Sequence, residues 1–259
     1  MFAETRSNMA PSVTLALACA AGLMLAGAPP AKAQVEGNAQ AEQSRSLRER
    51  PYRAMPEPGR YVTDSGAAFT LDQSGSRPLV RFGESSEVWV LRPMPAPRGD
   101  IVYRNDQGDV VMRSTPSGGL TLYTSRAPSG EPASLEGPGQ SLRRPALSPI
   151  QLVNYMVRQS DVASRAVGHL VVFQAEEITP GSETLVAEAA FAAVEALSRM
   201  ARASNFRDQA RRVRRINITE GPRNDAVLSG ATLTITVDPR QGPAGRPSSA
   251  RVVRALAGR

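Results

Sequence analysis

The chain has 259 residues, with 31 Lys and Arg against 24 Asp and Glu for a net charge of +7, one cysteine and one histidine. One cysteine excludes an intramolecular disulfide framework and any zinc site built on several cysteines. The basic balance constrains solubility and association rather than fold.

Residues 1–33 have the pattern of an export leader. Arg6 provides the early positive charge, an apolar run extends from Val13 to Ala28, and Ala31-Lys32-Ala33 is the small-x-small pattern of a signal-peptidase site. Cleavage is expected between Ala33 and Gln34, giving a periplasmic or secreted chain. Gly22, Gly27 and Pro29 interrupt the run, so no transmembrane segment is expected in the mature chain. The alternative is a lipoprotein anchored at Cys19, but Leu15-Ala16-Leu17-Ala18 puts leucine at the wrong offset for lipidation. Cleavage after Ala33 removes both Cys19 and Lys32, and every basic side chain that follows is arginine.

Residues 34–59 lack apolar periodicity and carry Pro51, Pro56 and Pro58, which predicts a disordered arm. From residue 60 to 124 short alternating runs predict strands at Arg60–Thr63, Ala67–Asp72, Pro78–Phe82, Glu87–Arg92, Asp100–Arg104, Asp109–Arg113 and Leu120–Thr124. Asn105-Asp106-Gln107-Gly108 is a strong hairpin signal. The spacing predicts an antiparallel meander closing into a small barrel or sandwich. Phe69, Leu71, Val80, Phe82, Val88, Val90, Val102, Val110 and Leu122 are the expected inward residues. Trp89, alternating away from Val88 and Val90, is expected at an edge or in a groove.

The Pro-, Gly- and Ser-rich stretch 125–147 reads as a linker. An α/β domain is expected over 148–238. Ser148-Pro149-Ile150-Gln151 forms a capping box that opens a helix, on which Ile150, Val153 and Val157 share helical spacing. The apolar, β-branched run Val167–Gln174 predicts a strand covered on both faces. A helix is expected over 182–203, with Ala187, Phe191, Val194, Leu197 and Ala201 inward. Its polar side is expected to hold Glu188, Arg202 and a Glu195–Arg199 pair in water. A short helix at 205–211 and strands Val213–Thr219 and Ala231–Val237 complete a strand–helix–strand–strand layer. The fold class is therefore α+β. The tail 239–259 is expected to be mobile apart from Ala250–Leu256.

Chemistry-bearing patterns are sparse. His169, expected on a strand, lacks a G-x-S-x-G nucleophile elbow elsewhere in the chain. No carboxylate spacing singles out an acid–base pair, and no cofactor or metal is expected. The densest charge run is Arg211, Arg212, Arg214 and Arg215, with Arg207 one turn earlier. These arginines are candidate anion ligands, set against the simpler reading of a solvated corner.

The segments Tyr61-Val62-Thr63-Asp64 through Phe82, Val90-Leu91-Arg92-Pro93, Pro97-Arg98-Gly99-Asp100, Arg104-Asn105-Asp106 and Gly245-Arg246-Pro247-Ser248-Ser249 carry a resemblance. Through them the chain resembles an uncharacterised family of exported alphaproteobacterial proteins, a domain of unknown function (DUF4908). The resemblance implies an envelope setting and a two-part architecture, and no activity. Residues 60–113 are also similar to membrane-bound lysozyme inhibitors of the C-type class, small antiparallel barrels. The family's cysteine pair is missing here, and its Trp-x-Lys-Gly segment corresponds at best to Val111-Met112-Arg113. The leading expectation is a non-enzymatic envelope interaction or maintenance protein. Its partner would be an envelope protein or an anionic envelope polymer, not nucleic acid. The alternatives are an inhibitor of a cell-wall hydrolase, acting through Trp89 and the Pro93–Asp100 loop, and a hydrolase built on His169.

Overall fold

The structure is a computed structural model that describes residues 55–83 and 85–258. The expected leader, the expected cleavage site at Ala33 and Gln34, Cys19 and most of the expected arm lie outside the described residues.

The N-terminal lobe is a nine-stranded antiparallel sheet nearly closed into a barrel. Its strands are β1 (Gly59–Thr63), β2 (Ala68–Asp72), β3 (Leu79–Phe82), β4 (Trp89–Val90), β5 (Arg92–Pro95), β6 (Ile101–Arg104), β7 (Val110–Ser114), β8 (Leu120–Leu122) and β9 (Glu131–Gly137). They are ordered β4-β3-β2-β1-β9-β8-β7-β6-β5. The two ends of the sheet, β4 and β5, are therefore separated in sequence by Leu91 alone. Leu91 is fully buried, and its amide donates to the Pro78 carbonyl at 2.9 Å, so one residue carries the chain from one edge of the sheet to the other.

Aromatic side chains make a row across β1 to β4. Tyr61 stacks on Phe69 with centroids 5.3 Å apart, and Phe82 meets Trp89 edge-on at 5.4 Å. Such cross-strand pairs stabilise a sheet beyond the area they bury. Phe69, Leu71, Val80 and Leu122 face the core as expected. On β6 and β7 the phase differs from expectation, with Ile101, Tyr103, Val111 and Met112 buried while Val102 and Val110 are half-exposed. On β7 a register shift opposite Tyr103 and Arg104 leaves Val111 unpaired, so that Val111 and Met112 are both buried. The uninterrupted apolar run Ile101-Val102-Tyr103 has no alternation from which to read the phase.

Three expected loops prove to be structured. The stretch 125–147 contains β9, which pairs with both β1 and β8 and so belongs to the barrel. The last residues of the expected arm are pinned, since the Tyr61 hydroxyl donates to the Glu57 carbonyl at 2.7 Å and Gly59 already belongs to β1. The tail carries a 3-10 turn at Pro239–Gly245 and a helix at Ser249–Leu256, with Arg246 and Ser249 buried.

The C-terminal lobe has two layers. Its sheet comprises β10 (Val172–Glu176), β11 (Arg215–Glu220), β12 (Asp225–Ser229) and β13 (Thr232–Val237), ordered β10-β11-β13-β12. Pairing is parallel except between β12 and β13. One face carries Ile216, Ile218, Leu233, Ile235 and Val237, all fully buried. Against it pack α1 (Pro149–Val167), α2 (Glu183–Arg202), α3 (Arg207–Arg212) and α4 (Ser249–Leu256). The central helix, α2, buries Ala187, Ala189, Ala190, Ala192, Ala193 and Ala196 completely. Small side chains all round let neighbours approach it from several sides.

Candidate docking surface

The capping box opens α1 as read from the sequence: the Gln151 amide donates to the Ser148 hydroxyl, and the Ser148 amide to the Gln151 side chain at 2.8 Å. The helix ends at Gly168, whose φ of 82° is a left-handed cap. It therefore takes in Val167, and the strand expected over Val167–Gln174 begins only at Val172. That strand is not covered on both faces. It is an edge of the sheet, and Val172 is 41% exposed.

Two apolar stripes run along α1. Leu152, Met156, Ala163 and Val167 pack into the lobe. Ile150, Val153 and Val157 point the other way and are 72%, 60% and 64% exposed. Between this helix and β10 lies a groove of about 570 Å³, walled by Leu152, Val153, Met156, Val157, Val172 and Phe173. Hydrophobic side chains on an open wall, beside a strand with an unpaired edge, combine the two features that capture an added strand or helix.

A second cleft, of about 190 Å³, lies between the lobes. Arg246, buried, donates from Nε to Glu188 at 2.9 Å and from Nη2 to the Val88 carbonyl of the barrel at 2.7 Å. Arg144 sits 4.0 Å from Glu188 and lies over the rings of Phe191 and Tyr155. Glu188 and Arg199, expected in water, thus face charges brought by other segments. Arg199 turns to Glu87 at 3.7 Å and to the Ser249 hydroxyl. Barrel carboxylates also cap α4. Glu87 accepts from the Ser249 amide at 2.8 Å and its hydroxyl at 2.5 Å, and Asp106 accepts from the Ser248 amide and hydroxyl, both at 2.8 Å. These contacts occupy the polar groups of the cleft in holding the lobes together. The Asp106 hairpin turn, read from the sequence as a turn alone, and Glu87 face the Gly245–Ser249 segment across this clamp.

The arginine run is spread over α3, the connection after it and β11. Arg207, whose Nε donates to the Ala201 carbonyl at 3.1 Å, and Arg211 and Arg212 belong to α3 in the helix layer. Arg214 lies in the connection to β11. Arg215 is on β11, in the same row as Val172 and Thr232, on the sheet face away from the helices. Trp89 sits on the edge strand β4, half-buried against Phe82 and directly opposite Val80. His169 is in the turn between α1 and β10, where its Nε2 donates to the Val213 carbonyl at 2.9 Å. The expected strand at this histidine is absent because Gly168 ends α1 immediately before it. Among the described residues no three His, Cys, Asp or Glu side chains group as a metal-ligand set.

Hydrogen bonds set the clearest titration shift. Those from the Arg240 and Gln241 side chains hold the Asp238 carboxyl at about 2. In Glu220, burial pushes the pKa up, but the hydroxyl and amide of Thr179 outweigh it and hold it below the usual range. Both anchor loops at the C-terminal end of the parallel strands, and Thr179 lies between Ile178 and Pro180 at one end of the groove.

These features define a two-lobed α+β protein in which a barrel is locked onto a two-layer α/β lobe with one apolar edge left open. Residues 41–256 match the family described as Domain of unknown function (DUF4908), and the chain belongs to that family. Neither a curated protein nor a solved structure matches it. Among the described residues no helix is long and apolar enough to cross a membrane.

Proposed function

We propose that the protein is a non-enzymatic interaction module of the cell envelope, exported by its leader and docking a partner at the α1–β10 groove. The observation that carries this reading is the exposed stripe Ile150, Val153 and Val157 beside the unpaired edge of β10. An apolar wall of this kind is characteristic of a recognition surface. The arginines, split between the helix layer and the opposite sheet face, support an anionic-polymer partner less well. His169 is committed to a backbone carbonyl, which counts against the hydrolase alternative. A lysozyme-inhibition assay on the chain tests the inhibitor alternative, which draws on the barrel resemblance alone.

Two measurements test the reading. Intact mass of the protein from fractionated cells is expected to start at Gln34 in the periplasm, and an uncleaved cytoplasmic chain overturns export. In dilute protein, where the face is uncovered, the fluorescent apolar probe anilinonaphthalene sulfonate is expected to light up on the folded chain, with the signal lost in Val153→Asp/Val157→Asp. An unchanged signal in that folded variant overturns docking at the groove.

A further inference from the structure

We infer that the occupant of the α1–β10 face is a second copy of this chain, docked about a two-fold axis through Gln174 with the two β10 strands antiparallel. This rests on the reading of α1–β10 as a docking face and names its partner.

The residues on the open side of the sheet are self-complementary under that operation. Register places Val172 beside Arg215, Gln174 beside Asn217, and Glu176 beside Thr219. Antiparallel pairing centred on Gln174 sets Val172 opposite the second copy's Glu176. Arg215 then faces that Glu176 across one small side chain, two strand spacings or about 10 Å between backbones, which the two long side chains span. The symmetry makes two such ion pairs. Within one chain Arg215 has no carboxylate partner among the described residues, and Glu176 has only the Asn217 side-chain nitrogen at 3.4 Å.

The central row supplies a second match. Asn217 Oδ1 is buried without a hydrogen-bond partner, next to the exposed Gln174. On the axis, Gln174 meets its own copy, giving a row of four amides in which each carbonyl can find a donor. The edge itself is unguarded, since β10 carries no lysine, proline or bulge. Because α1 lies on the helix side over β10, the same axis brings the two Ile150–Val157 stripes side by side above the seam. The product is a continuous eight-stranded sheet, four strands from each copy, with both apolar stripes covered.

The test is sedimentation equilibrium on the native chain and its charge variants, with circular dichroism confirming that each folds. A dimer at about 10 µM is expected, weakened about tenfold or more by Glu176→Arg or Arg215→Glu alone and restored in the double swap. Cys19→Ser/Gln174→Cys is expected to form an intermolecular disulfide on oxidation, since directly opposed antiparallel residues lie within bridging distance. A native chain that stays monomeric at about 100 µM, or a dimer indifferent to both charge reversals, overturns the second copy as partner. If that monomer still binds the apolar probe in a Val157-dependent way, the docking face stands with another occupant. If it does not, both readings fail.

Discussion

Glu87 and Ser249 stand 162 positions apart in the chain, yet one carboxylate holds both the amide and the hydroxyl of that serine. Both residues are buried, with Ser249 at 0% exposure and Glu87 at 4%. The barrel thereby provides the anionic cap of a helix in the other lobe, where backbone N–H groups point outward and favour negative charge.

Glu87→Ala is expected to lower stability by about 2–4 kcal/mol, because it leaves buried donors of Ser249 unmet as well as removing a charge-assisted bond. Urea denaturation checks this. A midpoint within experimental error of the parent would show that the clamp contributes nothing.

Breaking the Arg246–Glu188 pair by Arg246→Met is expected to cost up to about 3–5 kcal/mol, since it leaves a largely buried carboxylate with only Arg144, at 4.0 Å. Adding Glu188→Leu should recover most of that loss, because replacing both partners removes the unpaired charge. A double-mutant cycle measures the coupling, and strict additivity would refute it.

The two stripes of α1 should separate cleanly in dilute protein, where no partner contributes. Leu152→Ala and Met156→Ala are expected to cost about 2–3 kcal/mol through lost packing. Val153→Ser and Val157→Ser should change stability by less than about 0.5 kcal/mol. Equal losses on both sides would mean that the helix is rotated from the orientation described.

Acid should loosen the fold through Asp238 and Asp72. The first is held at about 2 by Arg240 and Gln241, against an ordinary value of 3.8. Burial raises the second, but hydrogen bonds from Ser74, the Leu142 amide and Ser141 outweigh it and leave it lowered. A depressed folded-state pKa contributes stability above the unfolded value and loses it as pH falls through the folded one. Thermal midpoints should therefore fall between about pH 4 and about pH 2, and Asp238→Asn should make that fall shallower. An identical acid slope in the variant would exclude Asp238 as a cause.

Local chemistry was the most readable part of the sequence. Ser148 and Gln151 declare the start of α1, and Asn105 to Gly108 declares the β6–β7 turn, because a cap or a turn needs only neighbouring residues. The barrel strand β9 was not readable. Glu-Pro-Ala-Ser-Leu-Glu-Gly has no apolar alternation, and a proline argues against a strand paired on both sides. The docking face was half-readable. Ile150, Val153 and Val157 announce a stripe, but α1 carries a second one, and only the position of α2 decides which of the two is buried. Glu87, Arg246 and Asp106 gave no warning of the clamp, since a charged residue beside a turn ordinarily faces water and the partners here lie between 58 and 162 positions away.

The clamp also fixes an order of events during synthesis. Residues 55–137 contain every strand of the barrel, so that lobe can close while Arg246, Ser248 and Ser249 are still untranslated. Until they arrive, Glu87 and Asp106 stay hydrated and Glu188 has only the more distant of its two arginines, Arg144. Locking is then the final act of maturation, and a protease that trimmed the last helix would remove Ser249 from the clamp and Val252 and Leu256 from the C-terminal core in one cut.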